Sequence, residues 1–376
     1  MKIILLASFN RKMTFIEELI ENLLQKENEV VLVDIINKEI LDVKECKNLF
    51  PSVISYICRK NKIGLFISLL YIRYYLWKNN KNIDVINIHY FSKIYTYLFK
   101  WTKLFNNKIM ITIWGSDMYR TSESIKKIQN VFMNEVKIIS VVSKQMKNDL
   151  LEYYEIKNSK IRIARFGIKK FEMMKEILEN INVTDIRNEL SLPKNKILIC
   201  CGYNGIKEQR HEIIVNALAE LPQNIKNNIY LIFHMGYGSS SDYILAIRNK
   251  VNFTKIEHII IDNYLTEKHV ALLRLATDIT INIQTTDALS ASLVEHIYAK
   301  NIMLVGDWLP YNIFDEIGIF YIKTSLERLN ESILYVIRNY ENFKNKCEDN
   351  SMKIYEFGSW NPRINDWLEI YKEICG

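Results

Sequence analysis

The sequence predicts an α/β protein made of two Rossmann-like domains facing across a cleft, with a C-terminal helix docking back on the first. Three observations carry this. The chain has 376 residues, about twice what one compact core holds. Short apolar runs recur between helix-length segments, the pattern of parallel strands joined by crossover helices. A charged stretch from Lys169 to Lys196, containing Pro193, separates two such sets and reads as a linker.

In the first set, strands are expected at Ile3–Ala7, Val30–Asp34, Val85–His89, Ile109–Trp114, Ile138–Val142 and Ile161–Ala164. The second set is expected at Ile197–Cys201, Tyr230–His234, His258–Ile261, Ile279–Ile283, Ile302–Val305 and Phe320–Ile322. From Ser351 to Ile374 the pattern is helical, with Trp360, Trp367 and Tyr371 available for docking. The division is therefore an N-terminal Rossmann-like domain over 1–175, a C-terminal Rossmann-like domain over 190–345 and a helical crossover segment over 346–376. In sheets of this kind ligands bind outside the carboxyl ends of the strands.

Composition excludes several classes. With 49% hydrophobic residues the chain has ample material for a core, so it is not disordered. The six cysteines show no CxxC spacing, and reduced thiols in the cytosol fit them best. The N-terminal apolar run is too short for a signal peptide and reads as a first strand. Net charge is +7, but it is concentrated. Residues 46–116 hold eleven Lys and Arg against one acid, Asp84, together with 15 aromatic residues. The run at 63–77 contains Arg73 and falls short of the roughly 20 residues that span a bilayer. A face lying on an anionic membrane is the favoured reading, against ordinary buried helices with solvated lysines at their ends. Nucleic acid is not expected as a partner, because no recognition motif accompanies the basic residues.

Absent motifs narrow the chemistry further. There is no GxxxxGK(S/T), and the loop after the first strand reads ASFNRKM rather than GxGxxG. No DxD pair and no HxxxH pair occurs, so no metal and no cofactor is expected. The positive signals follow strands of the second set. In GYNGIKEQRH (202–211), Gly202, Asn204 and Gly205 give a turn that brings backbone close to a ligand, and the next helix start favours an anion. Lys207 and Arg210 add positive charge there. In QTTDALSASLVEHIYAK (284–300), Asp287 lies in the loop and Glu295 on the helix, up to roughly 12 Å apart along the axis. That is about a sugar plus diphosphate. Small residues at Ala288, Ser290, Ala291 and Ser292 let a phosphate reach the backbone, and Leu289 between them is a further donor-binding candidate. A capping Asp and an exposed Glu are the plainer alternative.

Together these pieces resemble a GT-B glycosyltransferase of the retaining family 4 type, the nucleotide-sugar enzymes that build bacterial surface polysaccharides. The matching segments run in order: DVINIHYF (84–91), IWGSDMYR (113–120), VVSKQMKNDLLEYYEI (141–156), IRIARFGI (161–168), GYNGIKEQRH, and DALSASLVEHIYAKNIMLVGDWLPYN (287–312). The last is similar to the family's E-x7-E region, with Asp287 in place of the first Glu. The resemblance implies that Asp287 and nearby amides contact the donor sugar, that Glu295 holds the ribose hydroxyls, and that Arg210 clamps the diphosphate with Lys207 beside it. It further implies a polysaccharide or lipid-linked acceptor and a cytoplasmic enzyme peripheral on the inner membrane face. Ser8, Phe9, Asn10 and Arg11 stand where the family has a Gly-Gly loop, Tyr203 replaces a cation, and Trp114 takes the place of a His. His89 and Asp117 are then the candidates for acceptor orientation or proton acceptance, Asp117 being equally suited to cap a helix. A non-catalytic partner subunit of the same fold, or a nucleotide-sugar epimerase, are the other readings.

Overall fold

The structure, a computed structural model, describes residues 1–7, 14–45, 47–52, 54, 64–99, 103–287 and 289–376. It divides into two units, Met1–Gly167 with Trp360–Gly376, and Ile168–Ser359.

The first unit is built on β1 (Lys2–Ala7), β2 (Glu29–Asp34), β3 (Glu39–Asp42), β4 (Lys47–Asn48), β5 (Val85–His89), β6 (Ile109–Thr112), β7 (Ile138–Val141) and β8 (Ile161–Ile163). Their order is β4-β3-β2-β1-β5-β6-β7-β8. β1 lies between β2 and β5 in parallel register, Ile3 facing both Val30 and Val85. The central strands are apolar on both faces, as parallel strands covered by helices must be. β3 and β4 extend the edge antiparallel, a feature the sequence reading lacks because these short strands carry mostly polar or half-exposed residues.

The helix Trp360–Cys375 closes one side of this sheet. Trp360, Ile364, Trp367, Ile370, Tyr371 and Ile374 recur at helical spacing and pack on Ile3, Leu5, Leu19 and Val85. Each aromatic also satisfies its polar atom: Trp360 Nε1 donates to Glu18 (2.6 Å), Trp367 Nε1 to the Arg165 carbonyl (2.8 Å), and Tyr371 OH accepts from Asn87 (2.9 Å). Gly167 permits this docking, since a Cβ there would lie 2.3 Å from the Trp360 ring.

The second unit contains β9 (Ile197–Cys201), β10 (Ile229–His234), β11 (His258–Ile261), β12 (Ile279–Asn282), β13 (Ile302–Gly306) and β14 (Ile322–Thr324), all parallel, in the order β11-β10-β9-β12-β13-β14. Two boundaries differ from the sequence expectation. The supposed linker forms the helices Lys170–Asn180 and Val183–Glu189, whose Phe171, Met174, Ile177 and Ile186 enter the core of this unit. Apolar residues spaced three and four apart were hidden among the charges. At the other end, Asn350–Gly358 stays with the second unit and only the helix from Trp360 joins the first.

Candidate functional site

In both sheets the chain reverses direction of growth at a defined point, between β1 and β5 in the first and between β9 and β12 in the second. Such switch points leave a crevice at the carboxyl ends of the two adjacent strands. The Gly-containing loop follows β9 and the acidic loop follows β12, so the second unit brings the donor-site candidates to one place.

After β9, Gly202 adopts φ +71°, where a Cβ would meet His211 and Gln209 within about 3 Å. Its N–H donates to the Ile281 carbonyl (3.0 Å), tying the loop to β12. Gly205 N–H donates to the Tyr237 carbonyl (2.8 Å), and Ile206 N–H to the Asn204 side chain (3.1 Å). Tyr203 is buried, and its hydroxyl donates to Gln284 Oε1 (3.2 Å), the same oxygen that accepts from Gln209 Nε2 (3.1 Å). Burial, with the Asp287 charge nearby, raises the phenol pKa. Tyr203 is thus a packing element that joins the two loops. Arg210 (φ +59°) opens the helix His211–Ala219, and its guanidinium lies 5.1 Å from the Trp308 ring, a cation–π distance. Trp308 is fixed in turn by its Nε1 donating to the Gln284 carbonyl (2.9 Å). Lys207 is exposed, 5.8 Å from the Tyr243 ring.

The acidic loop is held before its helix begins. Asp287 Oδ2 accepts from Ser290 N–H (3.2 Å) and from the buried Tyr311 hydroxyl (2.5 Å), which itself accepts from Asn282 (2.9 Å). Ser290 caps the helix Ala291–Tyr298, accepting from Leu293 N–H (3.3 Å). Leu289 carries φ +111°, a strained value for a side chain of its size. Ala288 lies outside the described residues. The cap is therefore Ser290, and the first N–H groups of this helix have no intrahelical partner.

Glu295 is buried, which overturns the plainer reading of it as an exposed residue. Its Oε1 accepts from Lys170 Nζ (2.8 Å) and its Oε2 faces Arg274 Nε (3.4 Å). Arg274 is 2% exposed, donates Nη2 to Ser292 Oγ (2.6 Å), and has no partner for Nη1 among the described residues. Tyr237 feels the charges of Arg274, Glu295 and Lys170, and hydrogen-bonds the Asn204 side chain. Burial, aided by Arg274, lowers the His234 imidazole to about 3. Sequence reasoning missed Lys170, Arg274, Tyr237, Gln284, Trp308 and Tyr311. Lys170 and Arg274 come from separate helices and carry no local signal.

The structure places the two remaining candidates, His89 and Asp117, in the first unit and gives both an interior position. His89, at the end of β5, is 0% exposed, with the rings of Phe166, Trp114 and Trp367 at 5.9–6.2 Å. Burial lowers its pKa to about 3, so the ring is neutral. Asp117 is buried and accepts the N–H groups of Phe91 (2.8 Å), Trp114 (2.9 Å) and Gly115 (3.0 Å), pinning the loops after β5 and β6. Burial raises its carboxyl to about 6, opposed by those hydrogen bonds. Residues Ser8, Phe9, Asn10 and Arg11 lie outside the described residues.

Comparison with known proteins bears on the fold. Residues 14–169 match Glycosyltransferase Family 4. An uncharacterised glycosyltransferase of Methanocaldococcus jannaschii is 24% identical over 262 residues, 66% of this chain, which spans 62% of that relative's length. A glycosyltransferase structure from Rickettsia africae superposes with a TM-score of 0.75 at 17% identity, covering 99% of this chain and 98% of the other. Anabaena HepE, in complex with UDP and glucose, gives 0.71 at 10% identity over 99% of this chain and 100% of its own. These likenesses show the fold to be that of GT-B glycosyltransferases.

Proposed function

We propose that this protein transfers a sugar from a nucleoside diphosphate donor to a polysaccharide or lipid-linked acceptor in bacterial cell-surface polysaccharide synthesis, with retention at the anomeric carbon. The observation that carries the proposal is the convergence of the Arg210 loop and the Glu295 helix at the β9/β12 switch point. The leaving nucleoside diphosphate develops negative charge on its oxygens, and fixed positive potential stabilises it. Arg210 held on Trp308, the exposed Lys207, and the helix start at Ala291 supply that potential from the chain itself. The Gly202–Gly205 turn lets the phosphates approach backbone. Asp287, Leu289 and Ser290 shape the place of the sugar. Transfer is expected to persist in EDTA. The family match and the structural neighbours do not favour a non-catalytic subunit or an epimerase.

The acceptor side falls to the first unit, and the membrane reading rests on the helix Gly64–Asn79 there. Gly64, Ser68, Ile72 and Leu76 are buried, while Phe66, Leu70, Tyr74 and Trp77 are 49–62% exposed on another face of the same helix. Lys78 and Lys81 are exposed beside them. An apolar stripe edged by cations fits the interface of an anionic bilayer. Among the described residues no helix is long and apolar enough to cross a membrane. Arg59, Lys60 and Lys62 lie outside the described residues.

The test pairs nucleotide with activity. UDP, GDP, CDP, ADP and dTDP are screened for raised melting temperature, which a ligand of the folded state must cause. The matching nucleotide-sugars are then assayed for transfer with wild type and Arg210→Ala. Full transfer by Arg210→Ala overturns the site. Phe66→Ser with Trp77→Ser is expected to abolish sedimentation with phosphatidylglycerol vesicles, and unchanged sedimentation overturns the membrane face.

A further inference from the structure

We infer that Lys170 and Arg274 are positioning residues that hold Glu295 as a two-point reader of the ribose diol. The inference rests on the proposed placement of the donor's ribose at Glu295, and it adds what makes that carboxylate selective.

An ionised carboxylate offers about four acceptor positions, two on each oxygen. Lys170 occupies one on Oε1 at 2.8 Å and Arg274 faces Oε2 at 3.4 Å. One acceptor position therefore stays open on each oxygen. A vicinal 2′,3′-diol presents two O–H donors side by side, and one to each oxygen completes the carboxylate. A single cation would suffice to keep the charge in a group only 5% exposed. Two cations on separate oxygens do more, because the terminal torsion of Glu is broad and one contact leaves it free to turn. The three partners come from three helices, Lys170–Asn180, Glu267–Ala276 and Ala291–Tyr298, so backbone packing sets the plane of the carboxylate. Arg274 is itself braced by Ser292 Oγ at 2.6 Å, in the first turn of the Glu295 helix. The brace thus couples the orientation of Glu295 to the helix start that faces the phosphates.

The experiment compares ribose with deoxyribose. Calorimetric titration measures UDP, GDP, CDP and ADP against dUDP, dGDP, dCDP and dADP, on wild type, Lys170→Met and Lys170→Arg. With the base that binds best, wild type is expected to prefer the ribose form by about tenfold or more, as hydrogen bonds to a charged group give. Lys170→Met is expected to bring that ratio below about threefold while the deoxy affinity stays within about twofold, and Lys170→Arg to restore it. General damage weakens both forms alike and leaves the ratio intact. Lys170 is one-fifth exposed, so Lys170→Met is expected to fold; Arg274→Lys, which keeps the charge but loses the fork, reports the same ratio if it does not. A wild-type preference unchanged in these variants overturns the inference and leaves the donor site standing. No ribose preference in wild type, or no binding of any nucleotide, overturns the Glu295 placement and the inference with it.

Discussion

Glu295→Ala is expected to destabilise the second unit as well as abolish donor binding. The side chains of Arg274 and Glu295 are 2% and 5% exposed, and Lys170 is 20% exposed. Removing the carboxylate leaves a guanidinium in the interior with Ser292 Oγ as its remaining partner, one of its nitrogens being already unpartnered. Breaking a buried pair from one side costs about 3–5 kcal/mol, because the stranded charge keeps its desolvation penalty. For a unit of this size that lowers the melting temperature by roughly 6–20 °C. Removing the charges together separates this cause from simple loss of packing. Glu295→Met with Arg274→Met is expected to recover most of the loss, since buried ion pairs replaced by apolar groups are often neutral. The assay is thermal unfolding followed by circular dichroism and tryptophan fluorescence. A Glu295→Ala melt within about 2 °C of wild type would refute the reasoning, because it would mean that water reaches Arg274 freely.

His89→Phe is expected to leave stability at pH 7 nearly unchanged and to flatten its acid dependence. The folded imidazole has a pKa of about 3, below that of the unfolded chain, so only the unfolded state gains a proton as pH falls below about 6.5. Stability is lost in that direction by about 2 kcal/mol at pH 5, and an identical pH 7-to-5 change in melting temperature in both proteins counts against it. Gly205→Ala is expected to weaken nucleotide binding at least about tenfold, because its Cβ would sit 2.5 Å from Ser239 Cβ and 2.9 Å from the Met235 carbonyl, forcing the loop to shift. Native affinity in titration would show that the loop yields without consequence. Asp117→Ala is expected to cost about 3 kcal/mol in denaturant unfolding, since three backbone N–H groups lose their acceptor. Its sign with pH is opposite to the His89 case: a carboxyl raised to about 6 opposes folding once ionised, so its share of stability falls as pH rises from about 4 to 6.

The parallel sheets were legible because strands buried on both faces must be continuous apolar runs, and Ile3–Ala7 or Ile229–His234 can be little else. Edge strands β3 and β4 gave no such run. The helices at Lys170–Asn180 and Val183–Glu189 were read as a linker because half of each is charged surface, and only packing reveals the apolar half. Gly202, Arg210, Asp287 and Glu295 were legible as a set because they follow adjacent strand ends in a fixed order. Lys170 was not, standing 125 residues from its partner. His89 and Asp117 were legible as polar residues at strand ends but not as buried ones, since the rings around His89 and the amides around Asp117 come from distant parts of the chain or from turn geometry.

The acidic loop shows what stands where the chain departs from the pattern it resembles. Asp287 is one methylene shorter than the Glu it replaces, and here it bonds Tyr311 and Ser290 N–H within its own loop. Leu289 at φ +111° stores strain of order 1–3 kcal/mol, and such strain persists only where the surroundings over-determine it. The Asp287–Tyr311–Asn282 chain on one side and the Ser290 cap on the other provide that constraint. Tyr203, in place of a cation, adds a third brace through Gln284. These hydrogen bonds fix the loop on both sides, so that the helix start at Ala291 is rigidly set. Charge complementarity is then left to Arg210 and Lys207 after β9 and to the Lys170–Glu295–Arg274 group on three helices; because Glu295 and Arg274 are buried, it is substitutions at Arg210 and Lys207, rather than at Tyr203, Asp287 or Glu295, that are expected to separate binding from folding.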